Sequence, residues 1–131
     1  MRPAATAVPF AHAGYKGEAL AGALEAVTAL IDADPHALAA GGEVHRRSRY
    51  RQAARVNWPG LGPVLLKAHR VVKSREGLLS YARSSRAKAE WRAARGLRAA
   101  GVAVPEPIAY GERRRGGRLV DAFYVARFLD D

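Results

Sequence analysis

The sequence contains no cysteine. Disulfides, thiolate-ligated zinc and iron–sulfur clusters are therefore excluded, and a reducing compartment fits. Long apolar runs are missing too. Nothing approaches the ~18–20 apolar residues of a membrane span, although hydrophobic residues make up 49% of the chain, enough for one modest core. Residues 1–10 carry one arginine and no apolar stretch of signal-peptide type. Acidic residues are scarce: 12 against 22 lysines and arginines, for a net charge of +10 over 131 residues. This balance suits an anionic partner such as a nucleotide, a nucleic acid or a phospholipid surface. A GC-rich genome, which raises Arg and Ala together, explains the same excess equally well, so charge alone selects no function. The four histidines (His12, His36, His45, His69) show no metal-type spacing, and no internal repeat is present.

Taken in order, Met1 to Lys16 is rich in Ala, Pro and Gly and reads as a loosely ordered lead-in. Leu20, Leu24, Val27, Leu30 and Ile31 recur at helical spacing, predicting an amphipathic helix over Gly17–Ala33 that Pro35 ends. Residues 1–42 thus read as an N-terminal extension with one helix. Glu43 to Arg55 is strongly basic and predicts two short strands turning near Arg47–Arg49, the second running on to Asn57. Trp58 to Pro63 is a turn by composition. A strand through Lys67 follows, reaching toward Val72, then a loop over Lys73–Gly77. A long helix spans Arg75–Ala100, with Gly101 as its stop. Pro105 and Pro107 force extended backbone. Ile108–Gly111 and Leu119–Leu129 read as strands around a hairpin loop at Arg113–Gly117. The pattern is α+β: a small, mostly antiparallel, five-stranded sheet packed against one long helix, with an N-terminal helical extension.

One pair of residues stands out. On a strand, Leu65 and Lys67 share one side while Val64, Leu66 and Ala68 take the other. On the long helix, Leu79, Ala87, Ala94 and Leu97 fall in one arc with Glu90 in its middle, while Lys88, Arg92 and Arg95 point away. A carboxylate on an inward face is costly unless paired, and Lys67 on its apolar strand is the natural partner.

Four segments carry a family resemblance: Val64-Leu65-Leu66-Lys67; Arg86 to Trp91 with its Glu90-Trp91 pair; Leu97 to Pro107 with Gly101-Val102 and Pro105-x-Pro107; and Phe123 to Leu129. From Val44 to Asp131, about two-thirds of the chain, the sequence resembles the lipopolysaccharide kinase family of Kdo/WaaP type, in the N-terminal lobe of a protein-kinase-like fold. The resemblance implies that residues 43–131 form such a lobe, ending at the hinge. It implies transfer of the γ-phosphate of ATP to a sugar hydroxyl of the lipopolysaccharide core. Lys67 would hold the α- and β-phosphates, with Glu90 as its anchor. Val56 and Leu65 would cover the adenine beside Ala126, and the backbone of Arg127 and Leu129 would meet its edge. The setting it implies is cytoplasmic, at the inner face of the membrane. The Mg²⁺ ligands and the catalytic base belong to the second lobe, which also receives the anionic acceptor, so this chain alone is expected to be inactive.

The sequence departs from the protein-kinase pattern in several places. No Gly-x-Gly-x-x-Gly loop is present. Arg46, Arg47, Ser48 and Arg49 stand at roughly that place, either as a phosphate-facing loop in which arginines replace glycine backbone or as a solvated basic hairpin. Arg127 occupies the usual acidic position at the hinge. With the hinge at the chain end, Val56, Leu65, Ala126 and Leu129 are expected to line an open apolar cleft, which would favour self-association. The alternatives are the N-lobe of another small-molecule or protein kinase-like phosphotransferase, or a non-catalytic basic module binding nucleic acid or anionic membrane. Against nucleic acid, Trp58, Trp91, Tyr110, Phe123 and Phe128 do not interleave with the basic stretches as a stacking platform would.

Overall fold

The first strands form where the sequence reads as a loose lead-in. In the computed structural model, which describes residues 5–47, 51–71 and 85–128, β1 (Ala7–His12) and β2 (Tyr15–Leu20) pair as a hairpin. The turn between them is Ala13–Gly14, with φ of 50° and 87°. Positive φ at both central residues gives the turn twist that suits a tight hairpin. β2 lies between β1 and a later strand, so its backbone groups are satisfied in the sheet rather than in a helix. The predicted helix therefore starts later: a short 3₁₀ turn (Ala21–Ala23) leads into α1 (Leu24–Asp32).

Pro35 opens a helix as well as following one. α2 spans Pro35–Gly41, with Asp34 as its N-cap accepting a hydrogen bond from the His36 amide at 3.0 Å. Proline is tolerated in a first helical turn because its missing N–H has no intrahelical partner there.

β3 (Glu43–Arg47), β4 (Arg51–Trp58) and β5 (Gly62–Arg70) follow as an antiparallel meander, as expected from the sequence. α3 (Arg86–Ala99) is capped by Ser85, whose hydroxyl accepts from the Lys88 amide at 3.1 Å. It ends at Gly101 (φ 85°), where the Val102 and Gly101 amides bond back to Leu97 and Arg98 carbonyls. That is a glycine-closed helix terminus. The expected Lys73–Gly77 loop and the helix before Ser85, with Leu79, lie outside the described residues. β6 (Pro107–Arg115) and β7 (Arg118–Arg127) close the chain as a hairpin through Gly116–Gly117.

Among the described residues, seven strands form one antiparallel sheet in the order β1-β2-β6-β7-β5-β4-β3, two more than the five expected. The extra pair is the first hairpin, added at the outer edge of β6. The sheet is covered on both faces rather than by one helix. On one face, Val27, Leu30 and Ile31 of α1 and Ala39 of α2 pack with Val64, Leu66, Phe123 and Val125. Burial of each large α1 side chain there stabilises the fold by roughly 1.5–3 kcal/mol. On the other face, Ala87 and Trp91 of α3 pack with Tyr110, Ala122, Tyr124 and Ala126. Alternation along β7 supplies both cores from one strand, Phe123 and Val125 to the first and Ala122, Tyr124 and Ala126 to the second.

A buried carboxylate is held on the α1–α2 face. Asp121 accepts from both Nε and a terminal nitrogen of Arg113, whose guanidinium lies 5.0 Å from the centre of the Tyr15 ring. His36 Nε2 is 3.7 Å from its other oxygen, beyond hydrogen-bond reach. Burial alone would raise the Asp121 carboxyl, but the nearby His36 ring, the Tyr15 hydroxyl and the Arg113 guanidinium bonded to it prevail and hold it below its ordinary range.

Candidate functional site

Lys67 sits in the middle of β5, directly opposite Ala53 of β4 and Tyr124 of β7. Its side chain leaves the sheet on the α3 side. There Nζ donates to Glu90 Oε2 at 2.8 Å, with both side chains 39% exposed. The pair expected from strand alternation and helix phase is formed. The helix phase itself needs correction. The buried positions of α3 are Ala87 and Trp91, so Glu90 stands on the flank of the inward stripe, and Leu97, expected inward, is exposed.

Trp91 fixes the rotation of α3. It is buried, stacks at a tilt 5.7 Å from Tyr110, and donates from Nε1 to Glu18 of β2 at 3.2 Å. At the helix start, the Ser85 amide donates to Glu112 of β6 at 2.7 Å. A carboxylate at a helix N-terminus also opposes the positive end of the helix dipole. These contacts, on either side of Glu90, set where it meets the sheet.

A shallow cleft opens between the β4–β5 edge and the first turns of α3. Arg51, Lys67, His69, Arg86, Glu90 and Tyr124 contribute to its lining. Burial, reinforced by the Glu90 charge, pushes the Tyr124 hydroxyl up to about 12. His69 is held below its ordinary value, first by burial and then by the charges of Arg51, His36 and Arg86, against an opposing pull from Glu90. Sequence reading missed Tyr124, His69, Arg51 and Arg86 as neighbours of Lys67. Strand register carries the signal for three of them: Tyr124 lies across from Lys67, and Arg51 across from His69, two residues along on the same face. Arg86 precedes Glu90 by four residues, one helical turn, which places the two on one side.

The other expected residues divide. Leu65 is half-buried and pairs with Ala126, which is buried in the α3-side core, so these two lie on the same face as Lys67. Val56 does not join them. It pairs with Val64 and packs against the α1–α2 core, on the opposite face of the sheet. Arg55, its neighbour, is the residue across from Leu65, and its guanidinium lies 5.0 Å over the Phe128 ring. An apolar cleft shared by Val56, Leu65 and Ala126 is therefore not formed. The Arg127 amide already donates to the Glu106 carbonyl at 2.9 Å, and its side chain bonds to Leu61 O and Glu106. Arg46 and Arg47 lie on β3, in register with Ala53 and Gln52. Ser48, Arg49 and Leu129 are outside the described residues.

The model of the lipopolysaccharide kinase (Kdo/WaaP) family matches residues 65–131, just over half of the chain and including both Lys67 and Glu90. The chain belongs to the lipopolysaccharide kinase (Kdo/WaaP) family. Comparisons with curated proteins and with solved structures give no match. The match begins at Leu65, so it takes in most of β5, α3, β6 and β7 but neither the first hairpin nor α1 and α2.

Among the described residues, no group of three or more His, Asp or Glu side chains could hold a metal ion. The donors here do not fit a Mg²⁺ site, and none is assigned to these residues. No described helix is long and apolar enough to cross a membrane.

Proposed function

We propose that the cleft between β5 and α3 is the nucleotide site of a kinase that moves the γ-phosphoryl group of ATP to a sugar hydroxyl of the lipopolysaccharide core. The observation that carries this reading is the 2.8 Å contact between Lys67 and Glu90 in a chain of this family. A strand lysine held by a helix carboxylate positions nucleotide phosphates by charge and hydrogen bonding, and most of phosphoryl-transfer catalysis is such positioning. Leu65 and Ala126 supply the apolar surface beside it for the base. In this reading residues 43–131 act as the nucleotide-binding lobe, and residues 1–42 brace it through the first hairpin and the two helices opposite α3. ATP as donor sets the reaction in the cytoplasm, and the net charge of +10 favours an anionic membrane face or an anionic acceptor.

Titration of ATP into the protein, followed residue by residue by NMR, tests the proposal. The expected perturbations centre on Leu65, Lys67, Glu90 and Tyr124. Binding of nucleic acid or anionic vesicles that falls steeply with salt, together with indifference to ATP, would favour a basic binding module and overturn the kinase reading.

A further inference from the structure

α3 carries the carboxylate of the Lys67–Glu90 pair, yet it is lightly packed. Of its fourteen residues, Ala87 and Trp91 are the buried ones. An alanine gives little purchase against rotation of a helix about its axis, so Trp91 and the polar tethers beside it fix the phase. Two of those tethers come from residues 5–18, outside the segment that the family model matches. The Trp91 indole N–H donates to Glu18 of β2 at 3.2 Å. Arg95, one helical turn on, donates to the Ala5 carbonyl at 3.2 Å, and its guanidinium lies 5.1 Å from the centre of the Trp91 ring. Glu18 reaches α3 because of register. It stands directly across from Tyr110, the ring that packs on Trp91. Gly17 beside it lets β2 approach the Tyr110 carbonyl, where a Cβ would clash. Burial first, and then the Glu18 carboxylate, push the Tyr110 hydroxyl up to about 12, so one charge acts on both aromatic side chains. An ionised acceptor makes a stronger hydrogen bond than a neutral one, and a buried indole N–H without an acceptor is costly.

We infer that Glu18 is a positioning residue for the site: by holding Trp91, it sets the rotation of α3 at which Glu90 reaches Lys67. The inference rests on the nucleotide reading of the cleft and adds a control exerted from outside the matched segment. Glu90 and Trp91 are adjacent on the helix, about 100° apart around its axis. Any rotation that follows release of the indole therefore carries Glu90 along its arc and away from the lysine. Glu18 does this without lining the cleft itself. The first hairpin thus acts as a clamp on α3: docked, it holds the pair together, and released, it leaves Lys67 without its anchor.

The experiment compares the wild type with Glu18→Ala, Glu18→Gln and Glu25→Ala, the last an exposed glutamate on α1 that controls for charge. Thermal melts confirm that each variant folds. The readout is the NMR resonance of Lys67 Nζ, calibrated by Glu90→Gln, in which the lysine has no carboxylate anchor; titration with ATP follows. In Glu18→Ala the Lys67 signal should move toward its position in Glu90→Gln, and ATP affinity should fall about three- to tenfold as the anchored fraction drops. Glu18→Gln, whose amide oxygen still accepts from the indole, should restore most of both, and Glu25→Ala should match the wild type. Arg95→Ala removes the second tether from an exposed position. It should shift the Lys67 signal the same way, and it takes the place of Glu18→Ala if that variant does not fold. A folded variant with Lys67 at its wild-type resonance overturns the positioning role, whatever its ATP affinity. A loss in Glu18→Gln equal to that in Glu18→Ala overturns the indole hydrogen bond as the cause. A shifted Lys67 resonance, with no ATP binding by the wild type, supports the hold of Glu18 on the pair and removes the nucleotide reading instead.

Discussion

Gly17 on β2 lies directly opposite Gly111 on β6, and this pair marks where the first hairpin joins the sheet. A Cβ at Gly17 would stand 1.9 Å from the Tyr110 carbonyl oxygen, and one at Gly111 would stand 2.5 Å from the Phe123 ring. Neither position accepts a side chain without movement. Gly17→Ala meets rigid backbone, so β2 must shift away from β6. A cost of roughly 1–3 kcal/mol is expected from such overpacking. Chemical denaturation measures it, and hydrogen exchange should show lost protection concentrated in residues 7–20. Wild-type stability and protection in the variant would mean that the hairpin does not dock as described.

Trp91→Ala should destabilise the protein by about 3–5 kcal/mol, the usual cost of removing a large buried aromatic. The variant loses the Tyr110 contact and leaves Glu18 without its indole donor. Because Trp91 sets the rotation of α3, the Lys67–Glu90 contact should loosen with it. The midpoint of a urea melt reads the first effect, and the NMR shift of the Lys67 ammonium the second.

Much of this organisation is legible in the sequence, and its limits have physical reasons. Gly116–Gly117 is recognisable as a hairpin turn because two glycines adopt positive φ freely. Ala13–Gly14 makes the same kind of turn, but an alanine at φ 50° is strained and gives no such signal. Without that turn, the spacing of Leu20 with Leu24 and Val27 reads as helix, although Leu20 ends a strand. The Lys67–Glu90 pair is readable because strand alternation turns Lys67 to the α3 side, and Glu90, although on the flank of the buried stripe and not at its centre, is next to Trp91 and within reach. The misplacement of Val56 has a different origin. Its face depends on register, and pairing with Val64 places it on the α1–α2 side. A shift of one residue exchanges the two faces of a strand, which is why Arg55 and not Val56 stands opposite Leu65.

Acid should weaken the fold in two steps. His69 has a folded pKa below its ordinary 6.5, so the unfolded chain binds the proton more readily. Its contribution is fully present above pH 6.5 and is lost as pH falls through the folded value. Asp121, lowered from 3.8, contributes above that value and loses its contribution as pH falls further. Urea melts across pH 3–8 should therefore show stability level near neutrality and declining below pH 6.5. His69→Gln should flatten the first step and leave the second. A decline that begins only below pH 4 would contradict the environment described for His69.

The 131-residue chain by itself should hydrolyse no ATP. In the proposed reading Lys67 positions phosphate, and neither a catalytic base nor a metal ligand is assigned to any residue described here. Charge stabilisation in phosphoryl transfer requires those groups together. A phosphate-release assay on the purified chain checks this. Turnover that disappears in Lys67→Ala would mean that the catalytic groups lie within these residues.

The most direct test of the account is the affinity of ATP for the wild type, Lys67→Ala and Glu90→Gln, measured beside their stability. The ion pair is partly exposed, so its loss should change unfolding free energy by no more than about 1 kcal/mol. ATP affinity should nevertheless fall about tenfold or more in Lys67→Ala, and by a smaller factor in Glu90→Gln, where the lysine remains without its anchor. A folded Lys67→Ala protein that binds ATP as tightly as the wild type would contradict the claim that this lysine is the nucleotide contact.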